Sequence, residues 1–74
     1  MNGIGWAVIQ LQNGNKVRRA GWNSFHEVIY VNLITNLPKA LPCLVAVKYN
    51  GKVVLDWLPS ERDLFAIDWE IYDV

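Results

Sequence analysis

This chain must stabilise its fold without a covalent or metal cross-link, and that requirement restricts it more than any other feature. Cys43 is the only cysteine, so no internal disulfide can form. His26 is the only histidine, so no cysteine–histidine cluster has the spacing of a zinc site. A chain of 74 residues buries only about 60% of the surface that its unfolded form exposes, which leaves a marginal core. We therefore expect it to associate with further copies of itself.

Composition and charge narrow the class of protein. Hydrophobic residues make up 53% of the chain, including four tryptophans, which is a rich supply for so small a core. Seven lysines and arginines balance seven aspartates and glutamates, whereas nucleic-acid-binding proteins usually carry a basic excess. The chain shows no signal-peptide pattern and no apolar stretch of about 18 residues, and a lone thiol suits a reducing compartment. We expect a cytoplasmic protein that binds neither DNA, RNA nor a membrane.

The N-terminal segment predicts a helix with two apolar faces. Residues 4–12 place apolar side chains at helical spacing, and Gly14 follows as a C-terminal cap. The stripe consists of Ile4, Ala7, Val8 and Leu11. Trp6 and Ile9 point away from it, which indicates a surface for a partner.

The rest of the chain predicts an antiparallel sheet. β-branched and aromatic residues favour strands, and Thr35–Pro42 reads as a loop. The predicted strands cover residues 15–20, 27–34, 43–49, 52–57 and 67–73. Asn50-Gly51 predicts a type I′ hairpin turn, and Ser60 with Asp63 resembles a capping box opening a helix over about residues 61–66. Residues 1–74 therefore form one α+β domain: a sheet of four to five strands, an N-terminal helix, and a short helix before the last strand.

No catalytic site is evident in the sequence. His26 has no serine or cysteine nucleophile in an activating motif. The aspartates Asp56, Asp63, Asp68 and Asp73 show no sign of the unlike environments that a catalytic carboxylate pair needs. There is also no glycine-rich phosphate loop. We expect a protein that is not an enzyme and that uses no metal and no cofactor.

Two segments can instead capture a ligand. Neighbouring strand residues face opposite ways, so Arg18 or Arg19 can meet an anion while Trp22 stacks on a flat ring. Asn23 can read a base edge or a ribose hydroxyl. A core tryptophan beside solvated arginines explains this segment equally well. After Pro59, the predicted helix offers N–H groups to a phosphate; a capped helix beside a buried tryptophan is the simpler interpretation there.

Longer motifs within the chain resemble one family. The run Lys16-Val17-Arg18-Arg19-Ala20-Gly21-Trp22-Asn23 resembles a K-V-x-R-x-G-W-N element, and the run from Trp57 to Glu70 resembles a W-x-P-S-x-x-D-L-L-A-x-D-W-E element. Both belong to the second Thoeris anti-defense family of small phage and bacterial proteins. The end of the first helix and the Asn50-Gly51 hairpin match the family's remaining landmarks in order.

The resemblance implies a sponge that sequesters a cyclic nucleotide immune signal of the glycocyclic ADP-ribose type without cleaving it, and so blocks the host's Thoeris immunity. It also implies a homotetramer with ligand pockets between subunits. By position, Trp22 would stack on the adenine beside Asn23, and Arg19 would meet the pyrophosphate. The residues expected near the ribose hydroxyls or a helix-end phosphate are Ser60, Asp63 and Asp68.

Other functions remain open from the sequence. One alternative is binding of cyclic dinucleotides of CBASS immunity, and another is inhibition of a host protein through the apolar helix face. The remaining two are a small hydrolase of cyclic nucleotides and a member that keeps only the fold. Ser24 and Phe25 stand where the family usually has glycine and lysine, which leaves the identity of the ligand open.

Overall fold

A computed structural model describes residues 1–22, 28–34 and 43–73. The elements in chain order are α1 (Ile4–Gln12), β1 (Val17–Arg19), β2 (Val28–Ile34), β3 (Cys43–Lys48), β4 (Val53–Leu55), α2 (Glu61–Phe65) and β5 (Trp69–Ile71). All strand pairs are antiparallel, and they build one five-stranded sheet in the order β4-β3-β2-β1-β5. The predicted α+β architecture, with a short helix before the last strand, is confirmed.

Helix α1 has the predicted bounds and the predicted end. Gly14 adopts φ +88°, and the N–H of Asn15 bonds to the carbonyl of Gln10, as in a glycine-terminated helix. The partner surface predicted on the second apolar face stays a prediction. Ile9 is exposed there, but Trp6 differs from the expectation, because it is half-buried and packs against the core. The difference arises because α1 contacts β1, β2, β5 and α2, so more than one stripe of the helix is covered.

The hairpin between β3 and β4 differs from the predicted type I′ turn. Among the described residues of this loop, only Gly51 has a positive φ, at +83°. The N–H of Gly51 bonds to the carbonyl of Lys48, and the N–H of Lys48 bonds to the carbonyl of Lys52. These bonds define a three-residue loop in which glycine occupies the left-handed position. The side chain of Asn50 accepts the N–H of Lys52 at 3.0 Å, which stabilises this alternative.

The core lies between α1 and one face of the sheet. Buried side chains of the central strands, such as Val17 and Val31, pack under Ala7 and Leu11 of α1. Two indoles, Trp22 and Trp69, complete this cluster. No helix in the described ranges has the length and apolar content needed to cross a membrane. The predicted 35–42 loop lies outside the described residues.

The opposite face of the sheet is polar and aromatic near β1. Arg18 lies across from Glu70, with 3.6 Å between their charged groups, and its guanidinium sits 5.5 Å from the centre of the Tyr72 ring. Tyr72 stacks on Tyr30, with ring centres 4.8 Å apart. Arg18 therefore points away from the core face on which its neighbour Arg19 lies.

Candidate functional site

Arg19 is the centre of a charged cluster at the end of β1. It pairs in register with Trp69 on β5, which places its side chain on the core face of the sheet. Its Nε donates to Oδ1 of Asp68 at 2.9 Å, and its Nη1 donates to Oδ1 of Asp63 at 2.9 Å. One guanidinium thus joins β1 to α2 and to the start of β5, through partners 44 and 49 residues away.

Asp68 binds three consecutive residues of the turn that follows β1. Its Oδ1 accepts from Arg19, its backbone carbonyl accepts the N–H of Ala20 at 2.8 Å, and its Oδ2 accepts the N–H of Gly21 at 2.8 Å. The approach is so close that a Cβ atom on Gly21 would lie 2.8 Å from Oδ2. The turn closes when the N–H of Trp22 bonds to the carbonyl of Arg19 at 3.0 Å. Any larger residue at this position would therefore have to displace the Asp68 carboxylate.

Asp63 connects the cap of α2 to the rest of the cluster. Its Oδ2 accepts the N–H of Ser60 at 3.0 Å, and its own N–H donates to Oγ of Ser60 at 3.2 Å, which confirms the predicted capping box. Its backbone carbonyl accepts Nε1 of Trp69 at 3.0 Å. Its side chain is only 8% exposed, so the partners of Asp63 are groups of the protein and not solvent.

The cluster keeps its carboxylates ionised. Hydrogen bonding from Arg19 holds the pKa of Asp68 below its usual range. Burial alone would raise the pKa of Asp63, but the bonds from Arg19 and Ser60 outweigh burial and leave that pKa lowered. The same bond to Asp68 raises the pKa of Arg19 against the effect of burial. At neutral pH the site therefore holds one cation and two anions.

Trp22 starts at this turn, but its ring enters the core. The residue is 7% exposed, and its ring meets Trp57 and Trp69 edge-on, with centroid separations of 6.1 and 5.4 Å. This placement fits the interpretation of Trp22 as a core residue. The same interpretation expected the neighbouring arginines to be solvated. Arg19 differs from that expectation, because the carboxylates of Asp63 and Asp68 both bind it.

The structure brings together four of the six residues predicted for the site: Arg19, Ser60, Asp63 and Asp68. Trp22 is joined to them through the Gly21 turn, and Asn23 lies outside the described residues. The exposed members are Ser60, Asp68, whose side chain is 32% exposed, and Arg19, at 21%. The first turn of α2 already carries the acidic Glu61 and Asp63, which oppose a phosphate at that end.

A second feature was not predicted from the sequence. An apolar groove of about 460 Å³ lies between α1, the sheet and the segment that leads into α2. Trp57, Trp69 and Pro59 are among its walls, and Gln12 is the polar residue among its described lining residues. Trp69 belongs both to this groove and to the charged cluster, through its bond to Asp63. In the sequence, the bulky residues around Pro59 are the part of this groove that could have indicated it, but such residues are equally typical of an ordinary core.

The two segments that Asp68 joins are the two that carry the family resemblance. The Gly21–Trp22 turn comes from the first element, and Asp63 and Asp68 come from the second. Comparison with curated proteins gives no match. A match to the family described as the Thoeris anti-defense 2-like domain covers residues 2–72 of the 74. The chain belongs to the Thoeris anti-defense 2-like family.

Proposed function

We propose that this protein counters Thoeris immunity by binding a cyclic nucleotide signal of the glycocyclic ADP-ribose type and holding it uncleaved. The family supports the Thoeris anti-defense role. The observation that carries the finer proposal is the partly exposed Arg19–Asp68 pair at the Gly21–Trp22 turn. A cation and an anion side by side suit a ligand that presents both phosphates and sugar hydroxyls.

Arg19 retains donors for a pyrophosphate. A guanidinium has five N–H groups, and the bonds to Asp63 and Asp68 use Nη1 and Nε. Nη2 lies beside the turn, 3.7 Å from where a Cβ of Gly21 would be. A phosphate that approached the turn would meet this nitrogen in a charge-assisted hydrogen bond.

The carboxylates suit binding better than cleavage. The pKa values of Asp63 and Asp68 lie below the usual range, so both groups stay ionised and act as hydrogen-bond acceptors. A hydrolase would need one of them protonated as a general acid, with its pKa raised towards neutrality. Asp68 and Ser60 are exposed enough to meet ribose hydroxyls, whereas Asp63 supports them by holding Arg19.

The adenine is assigned to Trp22 and Asn23. Trp22 is 7% exposed in the single chain, so stacking requires its ring to turn outward when the ligand enters. Rotation about the side-chain bonds of Trp22 would bring the ring outward while the Gly21 turn keeps its place on Asp68. A homotetramer with pockets between subunits would supply the enclosure that a groove on one chain lacks, and would cover exposed apolar residues such as Leu58 and Phe65.

Titration of the purified protein against a panel of cyclic nucleotides tests the proposal, with chromatography of the ligand released on heating. We expect tight binding of one glycocyclic ADP-ribose isomer and its recovery unchanged. Preference for a cyclic dinucleotide would favour the CBASS alternative, and a cleaved product would identify a hydrolase. Absence of binding across the panel would favour an inhibitor of a host protein.

Two arginines provide a matched pair of variants for the same titration. Arg19→Lys keeps the charge but cannot bridge two carboxylates and a phosphate, so we expect at least a ten-fold loss of affinity. Arg18→Lys makes the same change on the opposite face of the sheet and should leave affinity within two-fold. Equal losses in both variants would contradict the assignment of the site to the core face.

A further inference from the structure

We propose that Asp68 is a positioning residue for ligand capture, which sets the Gly21–Trp22 turn and thereby the indole of Trp22. This inference rests on the proposed function, and it holds in addition to any direct contact between Asp68 and a ribose hydroxyl. Three hydrogen bonds from Arg19, Ala20 and Gly21 converge on Asp68 within 2.9 Å.

The geometry leaves the turn little freedom of its own. β1 ends at Arg19, so Ala20 and Gly21 lie beyond the last ladder pair and depend on Asp68 for their N–H partners. Between the described residues of the turn, a backbone bond runs from the N–H of Trp22 to the carbonyl of Arg19. Without the carboxylate, the N–H of Gly21 loses its acceptor, and Trp22 loses the anchor that lies one residue before it.

Arg19 holds the carboxylate in place for this task. A free aspartate side chain rotates, but Oδ1 of Asp68 is fixed by Nε of Arg19, and Arg19 is itself fixed by Asp63. The chain of contacts runs from the buried Asp63 through Arg19 and Asp68 to Gly21. Each link is a hydrogen bond of 2.9 Å or shorter.

The indoles report directly on the position of the turn. Trp22 lies 5.4 Å from Trp69 and 6.1 Å from Trp57, with ring planes at 74° and 81°. Electronic transitions of rings this close couple, and the coupling depends on the angle between the rings. The circular dichroism of the tryptophan bands therefore responds to a change in the orientation of Trp22 relative to Trp57 and Trp69, and it needs no ligand.

The test combines two variants that disturb the turn from opposite sides. Asp68→Asn removes the charge that fixes Arg19 but keeps the shape of the side chain. Gly21→Ala introduces the Cβ that would lie 2.8 Å from Oδ2, and it changes no charge. Asp73→Asn, an exposed carboxylate just beyond β5, is the matched control. Spectra and nucleotide titrations are recorded for each variant and for the double variant.

We expect both single variants to change the tryptophan bands in the same direction and to weaken binding at least ten-fold, as loss of a stacking contact would. The double variant should bind within three-fold of the weaker single variant, because both changes act on one turn. Asp73→Asn should match the wild type.

Two results would overturn the inference. Unchanged tryptophan bands in Asp68→Asn would show that the carboxylate does not position the indole, and multiplicative losses in the double variant would make Asp68 a direct contact only. The spectra need no ligand, so they judge the positioning even if the wild type binds no nucleotide. That last result would refute the proposed function on its own. If Asp68→Asn fails to fold, the tryptophan bands of Gly21→Ala, compared with those of the wild type and of Asp73→Asn, decide the inference: unchanged bands overturn it.

Discussion

At the scale of single residues, Asp63 carries the largest consequence for stability. It is the one buried charged side chain among the described residues, and its two oxygens bind Arg19 and Ser60. Removing one member of a buried pair costs more than the pair itself contributes, because the remaining charge loses its partner in a poorly hydrated place. Asp63 therefore stabilises the charged cluster from a buried position, with its side chain 8% exposed.

Asp63→Asn should lower the free energy of unfolding by about 1.5–3 kcal/mol, the range for loss of a hydrogen bond to a charged group. The amide keeps the shape of the side chain and part of the cap, so the loss reports mainly on the charge facing Arg19. Urea unfolding followed by tryptophan fluorescence measures it. Asp73→Asn, on an exposed carboxylate, should change the midpoint little. Equal midpoints for the two variants would contradict the buried pair.

The roles of Arg18 and Arg19 show where sequence reasoning stops. Alternation along a strand tells that they face opposite sides, and this was confirmed. It does not tell which side is the core, because that depends on strands β2 and β5, which come from distant parts of the chain. The same holds for Asp68, whose bond to Gly21 spans 47 residues and leaves no local pattern.

At the scale of elements, local chemistry predicted most of the fold. Helix α1 ends where Gly14 supplies a positive φ, and α2 begins where Ser60 and Asp63 cap each other. These signals lie within a few residues of what they determine. The hairpin at Gly51 was mispredicted because a type I′ turn and a three-residue loop both use a glycine there, and the register of β3 against β4 decides between them.

Two glycine variants separate backbone strain from packing in α1. Gly14→Ala should cost about 1–2 kcal/mol, since alanine must adopt φ +88° although no atom lies within 4 Å of its Cβ. Gly5→Ala also enters open space, but in the helix, where alanine should stabilise by about 0.5–1 kcal/mol. Thermal unfolding compares them. If both variants were less stable than the wild type, the added methyl group itself, and not the positive φ of Gly14, would be the cause of the lost stability.

At the scale of the whole molecule, the charged cluster makes stability depend on pH. The folded pKa values of Asp63 and Asp68 lie below those of the unfolded chain, which are near 3.9 for aspartate. Their contribution is therefore fully present above that value and is lost as the pH falls through the lowered folded pKa values. Arg19 stays charged throughout this window.

We expect the wild type to lose stability steadily below about pH 4, as urea midpoints measured between pH 7 and pH 3 would show. Asp68→Asn should start lower at pH 7 and fall less steeply, because one of the two carboxylates no longer titrates. Asp73→Asn should follow the wild-type slope. If Asp68→Asn lost stability as steeply as the wild type, the acid sensitivity would have to come from other carboxylates.

Among the described residues, two large apolar side chains lie almost fully exposed beside the apolar groove. Leu58 and Phe65 are 83% and 80% exposed, and they adjoin Pro59 and Leu64 on the rim of the apolar groove. Burying such a side chain contributes about 1.5–3 kcal/mol to association. In a two-fold symmetric interface each subunit buries the same residue, so this contribution occurs twice. The sequence already indicated association, but it placed the contact on the face of α1 that carries Trp6 and Ile9, where Trp6 is partly buried and Ile9 is exposed.

Sedimentation velocity should therefore find a homo-oligomer, and the variant with Leu58→Ser and Phe65→Ser should sediment as a smaller species at the same concentration. Leu55→Ser is the matched control, since Leu55 is 63% exposed on the edge strand β4, in another part of the fold. It should leave the assembly unchanged. Dissociation by Leu55→Ser alone would move the interface to the sheet edge. If the wild type sedimented as a single chain, the prediction of a homo-oligomer would be wrong. The proposed ligand pockets, which lie between subunits, could then not form.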